Sequence, residues 1–128
     1  KGNSVMSWSA VAMGGALGAM ARYAVSPWVF QVSSHKFPYA TLTVNVLGSF
    51  VMGILFVVIV ERAALPVEMR SLWMIGFLGA FTTFSTFSLD ALGLWQNGHL
   101  FLALLYVLAT VILCLLAISS SIWLARLF

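Results

Sequence analysis

Gly79-Ala80-Phe81-Thr82-Thr83-Phe84-Ser85-Thr86-Phe87-Ser88 decides how this chain is read. It lies in an uncharged run between Arg70 and Asp90. Such a run is long enough to cross a bilayer, which takes roughly 20 apolar residues. Yet Thr82, Thr83, Ser85, Thr86 and Ser88 place hydroxyls densely in it, and Phe81, Phe84 and Phe87 recur every third residue. β-branched and aromatic side chains lose χ1 freedom against the preceding helical turn. Ser and Thr also compete for the backbone bonds of the helix. The stretch therefore reads as a membrane helix interrupted within it. Irregular backbone at that depth persists only where protein buries it or where it lines a wet cavity. Interrupted helices are where transporters build their ion sites.

The rest of the chain agrees. Of its 128 residues, 62% are hydrophobic and 7% charged, against about 25% charged in a soluble domain. Mean hydropathy is +1.08. This is the composition of an integral membrane protein. Charged residues mark four spans, at about 6–28, 39–60, 71–95 and 100–125. The expected fold is all-α, a single four-helix transmembrane domain over 1–128 with the third helix interrupted. An even number of spans puts both termini on one side. Lys1 in place of Met marks a trimmed end, from which nothing is drawn. Residues 1–30 lack the pattern of a signal peptide, and none is expected. One cysteine, Cys114, leaves no intrachain disulfide and no Cys-based metal cluster. The net charge of +3 comes from segment ends; it reads as membrane flanks, with no nucleic-acid patch.

Each span carries candidates. In the first, Gly14 and Gly18 form a GxxxG, and Gly15 with Ala19 repeats it; small residues let helices approach closely in lipid. Arg22 comes next, at a depth where Arg is costly. It either snorkels toward Ser26-Pro27-Trp28 or acts as a structural cap, or it serves ion entry. His35 and Lys36 occupy the first loop, and the His reads as solvated.

In the second span Thr41, Asn45, Gly48, Ser49 and Met52 share one helical face. A buried amide must be bonded, so Asn45 is either glue between helices or part of an ion path. The second loop, Glu61 to Arg70, reads as a short polar turn. In the third span Gly76 and Gly79 loosen the helix before the break. Phe84 and Phe87 stand at i, i+3; such rings are usually core or lipid-facing, but ring edges are electropositive. Mixed with hydroxyls, they can hold an anion without a fixed positive charge. Asp90 faces a vestibule, pairs with Arg22 or meets water. In the fourth span Tyr106, Thr110 and Cys114 recur at i, i+4, i+8, and Ala117 and Ser121 extend that stripe. Thr110 bonds its own helix or adds a third wall to a polar path. Ser119-Ser120-Ser121 receives no assignment.

These residues resemble the bacterial fluoride channel family, called Fluc or CrcB, over nearly the whole chain. The most specific part is Gly79 to Ser88 together with Asp90. The Gly-rich first span ending in Arg22, along with Thr41 and Val44-Asn45-Val46-Leu47-Gly48, supports it. The resemblance implies a fluoride-selective channel of the bacterial inner membrane, passing cytoplasmic fluoride out of the cell. It implies an antiparallel, dual-topology homodimer with two pores. Phe84 and Phe87 would contact the anion and Asn45 would donate to it. Tyr106 and Thr110 would lie on the pore track, Thr41 near it, and Ser85 and Arg22 on the anion pathway. Backbone carbonyls of Gly79 and Thr82 would hold a structural sodium ion. Cys114 departs from the hydroxyl expected on that stripe. A thiol is a weaker donor.

The physics fits on its own terms. Fluoride is small and strongly hydrated, so a pore must supply dense donors, and conduction requires easy exit. Two other readings compete. A small four-helix proton-coupled drug exporter needs a carboxylate at mid-membrane, and this chain has only Asp90, near a span's end. In a non-transporting membrane scaffold the stripes would be packing glue. An enzyme is not expected, since His35, His99 and Cys114 form no catalytic set. Lys1, Arg62, Arg70 and Arg126 share the terminal side, which leans those ends toward the cytoplasm, whereas dual insertion wants near balance.

Overall fold

The computed structural model describes residues 4–32 and 37–128, with the side chains of 26–32 left aside. His35 and Lys36, and the side chains toward which Arg22 was expected to snorkel, lie outside the described residues. Those that are described are helical throughout, joined by short turns. Helix α1 runs Ser4–Val32. Helix α2, Tyr39–Leu55, continues into widened i→i+5 turns over Phe56–Glu61. The third span is built in pieces: α3 (Val67–Arg70), a widened stretch (Ser71–Leu78), α4 (Gly79–Phe81) and α5 (Phe84–Gln96). Helix α6 is Leu100–Leu127. Four stretches are long and apolar enough to span a membrane: Ser4–Val25, Tyr39–Glu61, Val67–Gln96 and Leu100–Leu127.

The helix that holds the third span begins at Val67, ahead of the uncharged run that starts at Ser71. Pro66 has extended backbone and caps a helix that already holds Glu68 and Arg70 in its first turn. The second loop is correspondingly short, and Ala63 turns it with φ +49°. The charges mark a solvated helix end and not the end of the helix. At the third loop, Gly98 takes φ +84°. There its N–H bonds the Trp95 carbonyl, and the His99 N–H bonds that of Leu94. This is a Schellman end to α5, with Gly in the left-handed position where a side chain would be strained.

Lipid gives no hydrophobic drive between helices, so close backbone contact carries the packing. Helix α1 lies along the widened stretch of the third span, and α2 along α6. A Cβ at Gly14 would strike the Leu72 carbonyl oxygen, and one at Gly18 that of Phe77. From the other side, a Cβ on Gly76 would come within 3.0 Å of Gly15 N. The GxxxG is thus a seam for the third span. On α2, a Cβ at Gly53 would meet Ser121 Oγ. Ser121 is fully buried and donates to the Ile118 carbonyl at 3.0 Å, whereas Ser119 and Ser120 are exposed. The serine run therefore divides, its third member serving the α2–α6 contact. Where α2 and α6 end together, Arg126 pairs with Glu61, and Arg62 donates to the Ala125 carbonyl at 2.8 Å.

Candidate functional site

The third helix breaks at Thr82 and Thr83. Their ψ angles are 159° and 123°, both extended. Two bonds hold the break open. The Asn45 amide pairs with the Thr83 peptide on both sides: Nδ2 donates to the Thr83 carbonyl at 3.0 Å, and Oδ1 accepts from the Thr83 N–H at 2.8 Å. Thr83 Oγ1 then caps α5 by accepting from Thr86 N–H at 3.2 Å. Ser85 Oγ lies 3.3 Å from that same hydroxyl. One of the two Asn45 amide protons is therefore spent on backbone, and one is left for another acceptor.

This diversion has a consequence for the preceding carbonyls. In a continuous helix, Thr83 N–H would serve the Gly79 carbonyl and Thr86 N–H that of Thr82. Here Asn45 and Thr83 side-chain oxygens take those donors. The Ala80 carbonyl between them accepts from Arg22 Nε at 3.0 Å. Arg22 thus reaches the break itself. Thr82 Oγ1 donates back to Leu78 at 2.8 Å, and its methyl occupies the space that a Cβ on Gly48 would need.

Beyond the break, α5 presents its rings. Phe84 and Phe87 have centroids 5.5 Å apart. Phe87 is 7% exposed and sits 5.1 Å from the Tyr106 ring, while Phe84 is 77% exposed. Asp90 accepts from Thr41 Oγ1 at 2.7 Å and from the Tyr106 hydroxyl at 3.4 Å. Of the surroundings open to Asp90, the structure gives it these two hydroxyls. Thr41 and Tyr106 therefore belong to a polar cluster around Asp90, joined to the rings through Phe87.

Asn45, Phe84, Phe87 and Thr110 converge on one pocket of about 380 Å³, with Ser49, Thr82, Thr83 and Cys114 also in its wall. Among the described residues, no charged side chain lines it. Thr110 is 7% exposed, and its hydroxyl is a buried group without a hydrogen-bond partner among the described residues. It does not bond back to its own helix. The fourth-span stripe is only partly kept. Each residue turns an α-helix by about 100°, so a stripe drifts around it. Thr110 and Cys114 reach the pocket, whose wall continues through Leu115 and Ile118. Ala117 instead faces a separate apolar groove with Leu113 and Phe50, and Ser121 is taken up against Gly53. Sequence reasoning missed the Asn45–Thr83 peptide pairing; an amide aligned with a β-branched break was the available signal.

The comparisons with known proteins cover nearly the whole chain. The family model described as CrcB-like protein, Camphor Resistance (CrcB), matches residues 9–122. A fluoride-specific ion channel FluC of Saccharophagus degradans is 58% identical over 120 residues, 93% of this chain and 89% of the relative. One of Hahella chejuensis is 56% identical over 117 residues, 91% of this chain and 92% of its own length. One of Magnetococcus marinus is 50% identical over 117 residues, covering 91% and 95%. With four spanning helices and a matched segment of that extent, the chain is a multi-pass membrane protein that belongs to the CrcB-like family.

Proposed function

We propose that this protein is a fluoride-selective channel that lets cytoplasmic fluoride leave the cell passively. The observation that carries the reading is the uncharged pocket below the break, which gathers Asn45, Phe84, Phe87 and the unmatched Thr110 hydroxyl. Hydroxyl, amide and ring-edge donors can replace water around a small anion. The absence of a fixed cation among the described lining residues favours exit as well as entry. Relatives named as fluoride-specific channels support the same reading. A proton-coupled exporter is not favoured, because the pocket holds no carboxylate and Asp90 is occupied by Thr41 and Tyr106.

The proposal extends to an antiparallel homodimer. One chain leaves Phe84 and Gly79 open on the outside of the break. A second copy in the opposite sense would cover that side and complete the enclosure. The diverted carbonyls of Gly79 and Thr82 would then hold a structural sodium ion. They are hard oxygen donors without their helical partners, which suits a hard cation, and such an ion would supply positive charge between facing carbonyl dipoles. The test is efflux from proteoliposomes loaded with fluoride or chloride at equal pH on both sides. Fluoride should leave and chloride should stay. Equal loss of both anions, or fluoride loss only under a proton gradient, counts against the proposal.

A further inference from the structure

Cys114 is the single cysteine of the sequence. It lies half-buried midway along α6 and lines the same pocket as Asn45, Ser49 and Phe87. One turn before it, Thr110 lines that pocket too, with a buried hydroxyl that has no partner among the described residues. Buried polar groups are normally matched, so the pocket wall at Thr110 is one partner short. The Cys114 thiol stands one helical turn on, in the same wall.

We propose that Cys114 is a covalent modification site for small, non-cationic thiol-reactive compounds of the alkyl thiosulfonate class, and that its modification closes the pocket to anions. The closure rests on the fluoride-channel reading. In the reaction the Cys114 thiolate attacks the sulfenyl sulfur of the thiosulfonate. A sulfur–sulfur bond to the protein forms, the bond to the sulfonyl sulfur breaks, and sulfinate leaves with the electron pair. The thiol proton passes to water. No separate oxidant is needed. The reagent must not be cationic, because the pocket lies among spanning helices and none of its described lining residues is an acid that could offset a fixed positive charge. Modification replaces a weak S–H donor with a disulfide that has no proton to give. It also fills the space beside Thr110, so an anion shedding water there loses both a donor and room.

The experiment treats the reconstituted protein with methyl methanethiosulfonate, or with its trimethylammonium-ethyl analogue, and reads intact mass and fluoride efflux. The wild type should gain one methylthio group from the neutral reagent and none from the cationic one. Cys114→Ser should gain neither. Efflux is compared with the same variant untreated. It should fall about tenfold or more in the wild type, return on reduction, and hold its untreated value in Cys114→Ser. Absence of the adduct overturns the site. An adduct with undiminished efflux overturns the closure. Equal labelling by the cationic reagent overturns the restriction to non-cationic compounds. Untreated vesicles that carry no fluoride overturn the channel reading and the closure with it, while the mass shift still establishes the site.

Discussion

Replacing Asn45 by Leu removes both hydrogen bonds that hold Thr83 out of the helix, at 3.0 and 2.8 Å. It strands one backbone N–H and one carbonyl. Leaving a buried polar group unmatched costs about 1–3 kcal/mol, which gives about 2–6 kcal/mol for the two. In bilayers the unfolded reference state also finds partners, and single interhelical bonds average only about 0.6 kcal/mol. In this protein the third span could recover its Gly79–Thr83 bond by closing the break. The lower end is therefore expected, about 2 kcal/mol, or roughly 30-fold in the unfolding equilibrium at about 1.4 kcal/mol per tenfold. Asn45→Asp keeps the oxygen that accepts from Thr83 N–H, but it sets a second carboxylate oxygen against the Thr83 carbonyl in place of the donor and brings a charge among the spanning helices, so it should cost at least as much as Asn45→Leu. Its carboxylate faces the pocket and should suppress fluoride flux more than the Leu variant does. The assay is equilibrium unfolding in mixed detergent micelles, monitored by tryptophan emission. Trp73 and Trp95 flank the break on the third span. Stability of Asn45→Leu within about 0.5 kcal/mol of wild type, the spread of an ordinary surface substitution, would refute the claim that this amide holds the break. Wild-type flux in Asn45→Asp would remove Asn45 from the anion path.

The same geometry sets other outcomes. Gly18→Val drives a side chain into the Phe77 carbonyl and should destabilise the single chain by about 1–3 kcal/mol, the usual cost of overpacking. At Gly79 the nearest atom to an added Cβ is Met74 O at 3.9 Å, so Gly79→Val should spare the monomer and weaken dimer assembly; equal dimer stability, read by crosslinking, would count against a twofold contact there. Exhaustive replacement of sodium by a large organic cation should loosen the dimer and reduce fluoride flux, whereas Thr82→Ser, which keeps the hydroxyl bonded to Leu78, should be mild. A cysteine at Asn97, in a Cys114→Ser background, should be labelled from both faces of the membrane; labelling from one face alone contradicts antiparallel insertion.

The interruption was legible because its cause is local. Hydroxyl and β-branched residues at Thr82 and Thr83 disfavour the helix through their own side chains, and Thr83 caps α5 on the far side of the break. The glycines at 14 and 18 were legible for a similar reason, since a missing Cβ has meaning only at a close approach. The segment that closes on them was not written there. Asn45 could be recognised as needing a partner, but the Thr83 peptide lies 38 positions away, and only tertiary packing brings the two into line. The same holds for Arg22 and the Ala80 carbonyl, 58 positions apart. Asp90 had several open readings until Thr41 and Tyr106 arrived from two other spans. Along α6, spacing kept Thr110 and Cys114 together but could not show that the helix turns Ala117 to another groove. Charges bounded the uncharged run from Ser71 but not the helix that carries it, which begins at Val67 and takes Glu68 and Arg70 into its first turn.

The central claim is that an uncharged pocket passes fluoride and little else. Its most direct test is the reversal potential of the protein in a planar bilayer, with a tenfold fluoride gradient, symmetric chloride and equal pH. A fluoride-selective pathway predicts a reversal of about 59 mV in the direction set by fluoride, the value for a tenfold ratio of a monovalent ion. A reversal near zero, or one that tracks chloride when the gradients are exchanged, would contradict it.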